Sequence, residues 1–337
     1  MNRAEQRNLR RRNQPGRQGW WLPLPIALVI GALLLSSRLP DDGSDQLAAS
    51  TACPTAEDCT PAVPASLACS SGGACAGAEN EPAYVGSVRP SDITGRAAAM
   101  IEEPCGASLY DYNAHERRAP ASLAKIATAL VALEGADLSE MVEVRVHGGE
   151  LAVTTDSTVM GLLPGQRLSV LDLLYGLLLP SGNDAAIAIA EHVGGSAPAF
   201  VGLMNSKVEQ LGLRDTHFAN PHGLDDPDMY TSAFDIAVLG RELMRQPELA
   251  TIVRTRIYQP AWDGPPLWNG NGLLYRYPEA VGVKIGFTDN GGQTIVAAAE
   301  RDGRRLIVSV LGSSDVYQDV ITLFEWAFST VPSACHE

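Results

Sequence analysis

Three short segments, met in order along the chain, carry residue types able to break an amide bond: Ser122-Leu-Ala-Lys125, Ser181-Gly-Asn183 and Lys284-Ile-Gly286. A serine hydroxyl is a poor nucleophile until a neighbouring base takes its proton, and a lysine can be that base when desolvation or nearby positive charge lowers its pKa. Spacing of three puts the Ser122 hydroxyl and the Lys125 amine one helical turn apart on one face. The apolar run from Ile126 to Leu133 supplies the desolvation, and Pro120 marks a helix start. A serine placed there also meets free backbone N–H groups that can hold a developing oxyanion. In the second segment, a hydroxyl and a carboxamide in a tight loop can relay a proton and hold a substrate amide; Ser181, Asn183 and Asp184 are also good helix caps. In the third, Lys284 adds a positive charge that favours a neutral Lys125, and Gly286 lets a ligand backbone approach. The plain alternative there is a strand lysine that snorkels to solvent. Each segment alone is common in a chain of this length, and it is their order and settings that point to acyl transfer.

The elements that must position these residues can also be read. Val170 to Leu179 is an amphipathic helix ended by Pro180, and Ala185 to Val193 is the next, which makes Ser181 to Asn183 a loop. Val281 to Thr288 alternates as a strand does. Ala97 to Glu102 and Ala107 to Tyr112 flank Glu103-Pro-Cys-Gly106, and Thr294 to Ala299 and Arg305 to Leu311 flank Arg301-Asp-Gly303; both read as hairpins. Val316 to Phe328 has the spacing of a closing helix, and most of 121 to 250 reads as helix. Strands at both ends with helices between them require the ends to meet in one sheet. The fold class is therefore α+β, three-layered, with an antiparallel sheet flanked by helices and an inserted helical lobe.

Of the 337 residues, the first twenty carry six arginines against Glu5 alone, whereas the whole chain has a net charge of −14. The twenty residues between Arg17 and Arg38 are uncharged, with Trp20 and Trp21 at the start, about the length that crosses a bilayer. Arginines before the span and Asp41 and Asp42 after it place the N-terminus in the cytoplasm and the rest outside. We read residues 1–19 as a basic cytoplasmic tail, 20–37 as an uncleaved signal-anchor, 38–83 as an extracellular linker and 84–337 as the catalytic domain; a cleaved signal peptide is the alternative for the span. Four of the six cysteines, Cys53, Cys59, Cys69 and Cys75, lie in the linker and suggest local disulfides with three possible connectivities. Cys105 and Cys335 remain as a further pair. No cysteine or histidine spacing suits zinc, no glycine-rich segment has a phosphate-loop setting, and the acidic exterior argues against a nucleic-acid partner. No metal or cofactor is expected.

The three motifs together resemble the active-site serine penicillin-recognising enzymes, and among them the D-alanyl-D-alanine carboxypeptidase family of low-molecular-mass penicillin-binding proteins. The segments Leu109 to Ser122, Asp215 to Leu224, Asn269 to Leu273 and Arg301 to Gly312 resemble that family too, and the likeness covers about residues 90 to 330. It implies a β-lactamase/transpeptidase-like fold and a cut between the terminal D-alanines of peptidoglycan stem peptides, with β-lactams as covalent inhibitors. It also implies that Ser122 is the nucleophile, Lys125 the base and Ser181 the proton relay to the departing D-alanine. Asn183 would hold the acyl-side amide, and Lys284 would set the field and steady Ser181. Gly286, Phe287 and Thr288 would line the substrate, with the oxyanion between the N–H groups of Ser122 and Phe287. His222 is expected to be a structural loop residue. Two departures stand out: Ile285 replaces the family's usual Thr, whose hydroxyl helps bind the terminal carboxylate, and Ser313 to Asp319 lacks the Arg often found there. Thr288 or another Arg would have to substitute. A β-lactamase, a D,D-endopeptidase and a catalytically weak tethered scaffold are the competing readings.

Overall fold

The computed structural model describes Pro90 and residues 92 to 335. The basic tail, the anchor, the linker and its four cysteines lie outside the described residues. Among the described residues nine strands run in chain order: β1 (Ala97–Glu103), β2 (Ser108–Tyr112), β3 (Met141–Glu143), β4 (Arg167–Ser169), β5 (Ile257–Tyr258), β6 (Leu267–Trp268), β7 (Ala280–Thr288), β8 (Gly292–Arg301) and β9 (Arg304–Ser313). The helices are α1 (Lys125–Gly135), α2 (Gly148–Thr155), α3 (Val170–Leu178), α4 (Asn183–Gly194), α5 (Ala197–Gln210), α6 (Ala233–Met244), α7 (Pro247–Arg254), α8 (Leu273–Arg276) and α9 (Val316–Thr330).

Five strands form one antiparallel sheet in the order β2-β1-β9-β8-β7, so the two ends of the domain pair directly, with Ala97 opposite Leu311. Residues Ala97 to Ile101 are fully buried because both faces of the sheet are covered. On one face Ala98, Met100, Val308 and Val310 pack with Val320 and Phe324 of α9. On the other, Ala97, Ala99 and Ile307 join the core of the helical lobe, in which Ile236 of α6 and Leu130 of α1 are fully or almost fully buried. Both expected hairpins are present, and the second turns through Asp302 and Gly303, which both have positive φ. The helix α1 is apolar all round and buried from Lys125 to Ala132, as befits the axis of a lobe.

Most of 121 to 250 is helix, as expected, with β3 and β4 pairing in a small ribbon within it. One expectation needs correction. Asn183 is not in the loop but opens α4, with Gly182 as its cap. Among the described residues no single helix is long and apolar enough to cross a membrane.

The far end of the sheet is closed by a disulfide between Cys105, in the β1–β2 turn, and Cys335, beyond α9, with Cα atoms 5.4 Å apart. Beside it the Glu102 carboxylate accepts from Arg304 Nε at 2.7 Å and the Ala334 N–H at 2.8 Å. Closing so long a loop restricts the unfolded chain, so Cys335→Ser is expected to cost about 2–4 kcal/mol of stability, a fall in Tm of roughly 5–15 °C. Calorimetry without reductant reads this directly, and an unchanged Tm would assign the closure to the Glu102 cluster instead.

Candidate active site

The chain reaches the nucleophile position through Pro120 and Ala121, whose φ of 51° is in the left-handed region, and then a 3₁₀ turn over Ala121–Ala124. That turn feeds straight into α1, so Ser122 lies at the lobe's rim and Lys125 in its interior, with no exposed surface. Lys125 Nζ lies 2.9 Å from Ser122 Oγ, 2.7 Å from Asn183 Oδ1 and 2.7 Å from the His222 carbonyl oxygen. A neutral amine has two N–H donors and one lone pair. The carboxamide and carbonyl oxygens can only accept, so they take both donors. The remaining lone pair faces Ser122, whose hydroxyl can then donate.

Burial is the first reason the amine sits well below its ordinary lysine range, and the charge of Lys284 adds to it, with the Asp184 carboxylate opposing. Lys284, in mid-β7, is 1% exposed and does not snorkel; burial pulls it down to about 7. Its Nζ donates to the Ile285 carbonyl at 2.8 Å. An unfolded chain holds these protons up to about pH 10.4, so between pH 7 and 10 it binds more than the folded one. Stability is therefore expected to rise with pH across that window, by up to ~1.4 kcal/mol per unit for each lysine. Urea melts of Lys284→Met at pH 7, 8 and 9 should show a flatter rise, and an undiminished slope would contradict the depressed Lys284.

The strand β7 is the sheet's edge and passes close to the nucleophile. A Cβ on Gly286 would fall 2.8 Å from the Ser122 backbone nitrogen and 2.7 Å from Thr294 Oγ1, so only glycine permits this approach. Phe287 is 61% exposed at the rim.

Several expected roles meet a different geometry. Asn183 uses its carbonyl oxygen to hold Lys125, so only its amide nitrogen is left to face a substrate. Lys284 does not bond Ser181; its Nζ donates to the Ile285 carbonyl of its own strand. The Ser181 hydroxyl oxygen is buried with no hydrogen-bond partner, on a residue with φ of 68°. The Thr288 hydroxyl is already engaged: its O–H donates to Asp225 at 2.7 Å and its oxygen accepts from the Gly291 N–H at 3.0 Å. Ile285 projects its Cδ1 toward Gly270, apolar on glycine.

Two contributors have roles that the sequence did not show. The Asn220-Pro-His-Gly223 loop supplies its backbone: Asn220 Oδ1 accepts from the Gly223 N–H at 2.7 Å, and a Cβ on Gly223 would strike the Ala121 carbonyl at 2.0 Å. Burial and Lys125 push the His222 imidazole down to about 3, and its Nδ1 accepts from the Leu224 N–H at 3.3 Å within the loop. The second is Asp184, fully buried, whose carboxylate accepts from the N–H groups of Met160, Gly161, Leu162 and Ala185. It clamps the segment that carries Thr158, which in turn binds the Ser181 carbonyl and the Asn183 N–H. The signal was Asp directly after Ser-Gly-Asn, legible as a cap but not as a clamp.

A serine beside a buried lysine whose pKa is lowered, at the seam of an antiparallel sheet and a helical lobe, defines the class of serine–lysine acyl-transfer enzymes. The D-alanyl-D-alanine carboxypeptidase family, peptidase S11, matches residues 84–315, and the chain belongs to that family. A D-alanyl-D-alanine carboxypeptidase of Bacillus subtilis is 34% identical over 241 residues, 69% of this chain and 62% of that protein. One from Mycobacterium tuberculosis is 35% identical over 77% of this chain and 90% of its own length. Among solved structures, a Mycobacterium tuberculosis D-alanyl-D-alanine carboxypeptidase superposes with a TM-score of 0.69 at 33% identity, over 75% of this chain and 97% of that one. The Streptomyces K15 DD-transpeptidase gives 0.68 at 29% identity, over 72% and 100%. The chain spans about three fifths of the Bacillus protein's own length.

Proposed function

We propose that the chain is a serine-type D-alanyl-D-alanine carboxypeptidase that trims the terminal D-alanine from peptidoglycan stem peptides. The observation that carries this reading is the Lys125 amine, desolvated and holding two acceptors so that its lone pair is left for Ser122. Lys125 takes the hydroxyl proton as Ser122 Oγ bonds to the penultimate carbonyl carbon. The N–H groups of Ser122 and Phe287 receive the oxyanion, and Lys284 supplies field. The C–N bond then breaks as the proton held by Lys125 is returned by way of Ser181 to the departing amine, and water, giving a proton to the regenerated Lys125 amine, adds to the ester carbonyl and releases Ser122, which regains that proton. β-Lactams acylate the same oxygen. The experiment is D-alanine release from a stem pentapeptide by the full chain, with a penicillin label reporting the serine independently. Label without release would move the reading toward a scaffold, and neither would overturn it.

A second reading, D,D-endopeptidase, is favoured by Ile285, which offers no hydroxyl to a free carboxylate. A cross-linked peptide dimer assayed beside the pentapeptide decides between them. As part of the same proposal, residues 20–37 anchor the chain in the cytoplasmic membrane with the catalytic domain outside; the support is their composition and the arginines before them.

A further inference from the structure

Ser181 has φ of 68°, a conformation that a serine keeps only where its surroundings hold it. Its hydroxyl oxygen has no hydrogen-bond partner, so the hold is on the backbone either side. Thr158 Oγ1 donates to the Ser181 carbonyl at 2.9 Å, and the Gly182 N–H donates to the Gly176 carbonyl at 2.9 Å. Before Ser181 the chain leaves α3 through Leu179, and carbonyls at a helix end lack partners within the helix. The Leu179 carbonyl accepts instead from the Gly270 N–H, at 3.0 Å. We propose that Asn269 is a positioning residue for proton delivery: it fixes the turn that presents Gly270 to Leu179 and so sets where the Ser181 hydroxyl stands against the leaving amine. The inference rests on the reading of the chain as a peptidase in which Ser181 relays the proton.

Asn269 follows β6 and is 7% exposed, with both ends of its carboxamide engaged. Nδ2 donates to the carbonyls of Val253 and Thr255, at the end of α7, at 3.1 and 2.9 Å, and Oδ1 accepts from the Asn271 N–H at 2.9 Å. Its own N–H donates to the Arg256 carbonyl at 2.9 Å. Two donors and an acceptor on one short side chain are what an asparagine offers and an aspartate, serine or alanine does not. On the far side of the turn Asn271 Oδ1 accepts from the Leu273 N–H at 3.1 Å, and the Tyr317 hydroxyl accepts from the Gly272 N–H at 3.1 Å. The turn is thus tied to α7 at one end and to α9 at the other. Gly270, between the ties, lies against both catalytic segments: a Cβ there would be 3.6 Å from the Leu179 carbonyl oxygen and 3.9 Å from Ile285 Cδ1.

This role predicts a dependence on the leaving group. An amide nitrogen must be protonated as its bond to the acyl carbon breaks, and that proton comes through Ser181. A thiol, with an ordinary pKa of about 8.5, departs as the thiolate with the bonding electron pair and takes its proton later from water. Misplacing Ser181 therefore separates the two substrates, whereas a general loosening of the site slows both.

The test uses the full chain and compares kcat/KM for D-alanine release from a stem pentapeptide with kcat/KM for a thiolester of the same acyl portion. Rates are taken per penicillin-labelled site, so that misfolded chains drop out. Asn269→Ala is expected to lower amide cleavage by about 10²-fold and thiolester cleavage by less than about threefold. In a Ser181→Ala background, Asn269→Ala should cost no further amide cleavage, because the two act as one unit. Equal losses on both substrates, no loss on either, or a loss that adds to that of Ser181→Ala overturns the proposal. Where Asn269→Ala leaves no labelled chain, Asn269→Ser, which keeps one donor, is read by the same comparison and judged by the same outcomes. Labelling and pentapeptide cleavage by the unmutated chain report separately on the peptidase reading, so the two can fail independently.

Discussion

Ser122→Ala is expected to abolish covalent labelling by penicillin and to lower D-alanine release by about four to six orders of magnitude, because the Ser122 hydroxyl is the one hydrogen-bonded to Lys125 Nζ among the described residues. The substitution removes one oxygen and leaves Lys125 still held by Asn183 and His222, so the fold should persist with an unchanged Tm. Intact-mass spectrometry after incubation with penicillin gives the answer in one measurement. A penicilloyl adduct on the mutant would remove Ser122 from the centre of the reading. The unpartnered Ser181 hydroxyl would then be the next nucleophile to test.

Lys125→Met is the second large effect. General-base assistance contributes about 10²- to 10⁴-fold, and acylation by penicillin should slow by that factor. The size of methionine fills most of the lysine's volume, but Asn183 Oδ1 and the His222 carbonyl lose their donor. Two opposing terms then act on stability: unsatisfied buried acceptors cost about 1–3 kcal/mol each, while removal of a desolvated amine is favourable. The diagnostic readout is therefore pH dependence. In the unmutated chain acylation rises as the amine deprotonates, whereas the residual rate of Lys125→Met should be flat through that region. A mutant that keeps both the rate and its pH profile would show that another group takes the Ser122 proton.

Much of this site could be read from sequence because its signals are local. Pro120 and the apolar run after Lys125 announce a helix start, the alternation around Lys284 announces a strand, and the two hairpins carry their own turn residues. The pairing of Cys105 with Cys335 could only be posed as a possibility, since nothing local measures a distance across 230 residues of chain. The rest was hidden for a physical reason. The acceptor on His222 is a backbone carbonyl, which every residue type has, and it reaches Lys125 from 97 positions away. Asn183 advertises a carboxamide but not which end of it is already engaged. Asp184 looks like any helix-start acid until the four N–H groups it gathers are seen together. The engagement of Thr288 by Asp225 was likewise out of reach, because it joins β7 to a loop 63 residues earlier.

The pairing of β1 with β9 has a consequence for the order in which the domain is made. These neighbours are about 210 residues apart in the chain, so the central strand pair is among the most non-local contacts a domain of this size can have, and such topologies fold slowly. Until β9 is synthesised, the apolar strand Ala97–Ile101 has only the β2 hairpin beside it and an open edge that other chains can join. A nascent or truncated chain ending before Arg304 should therefore be prone to aggregation and degradation, however well the helical lobe has formed.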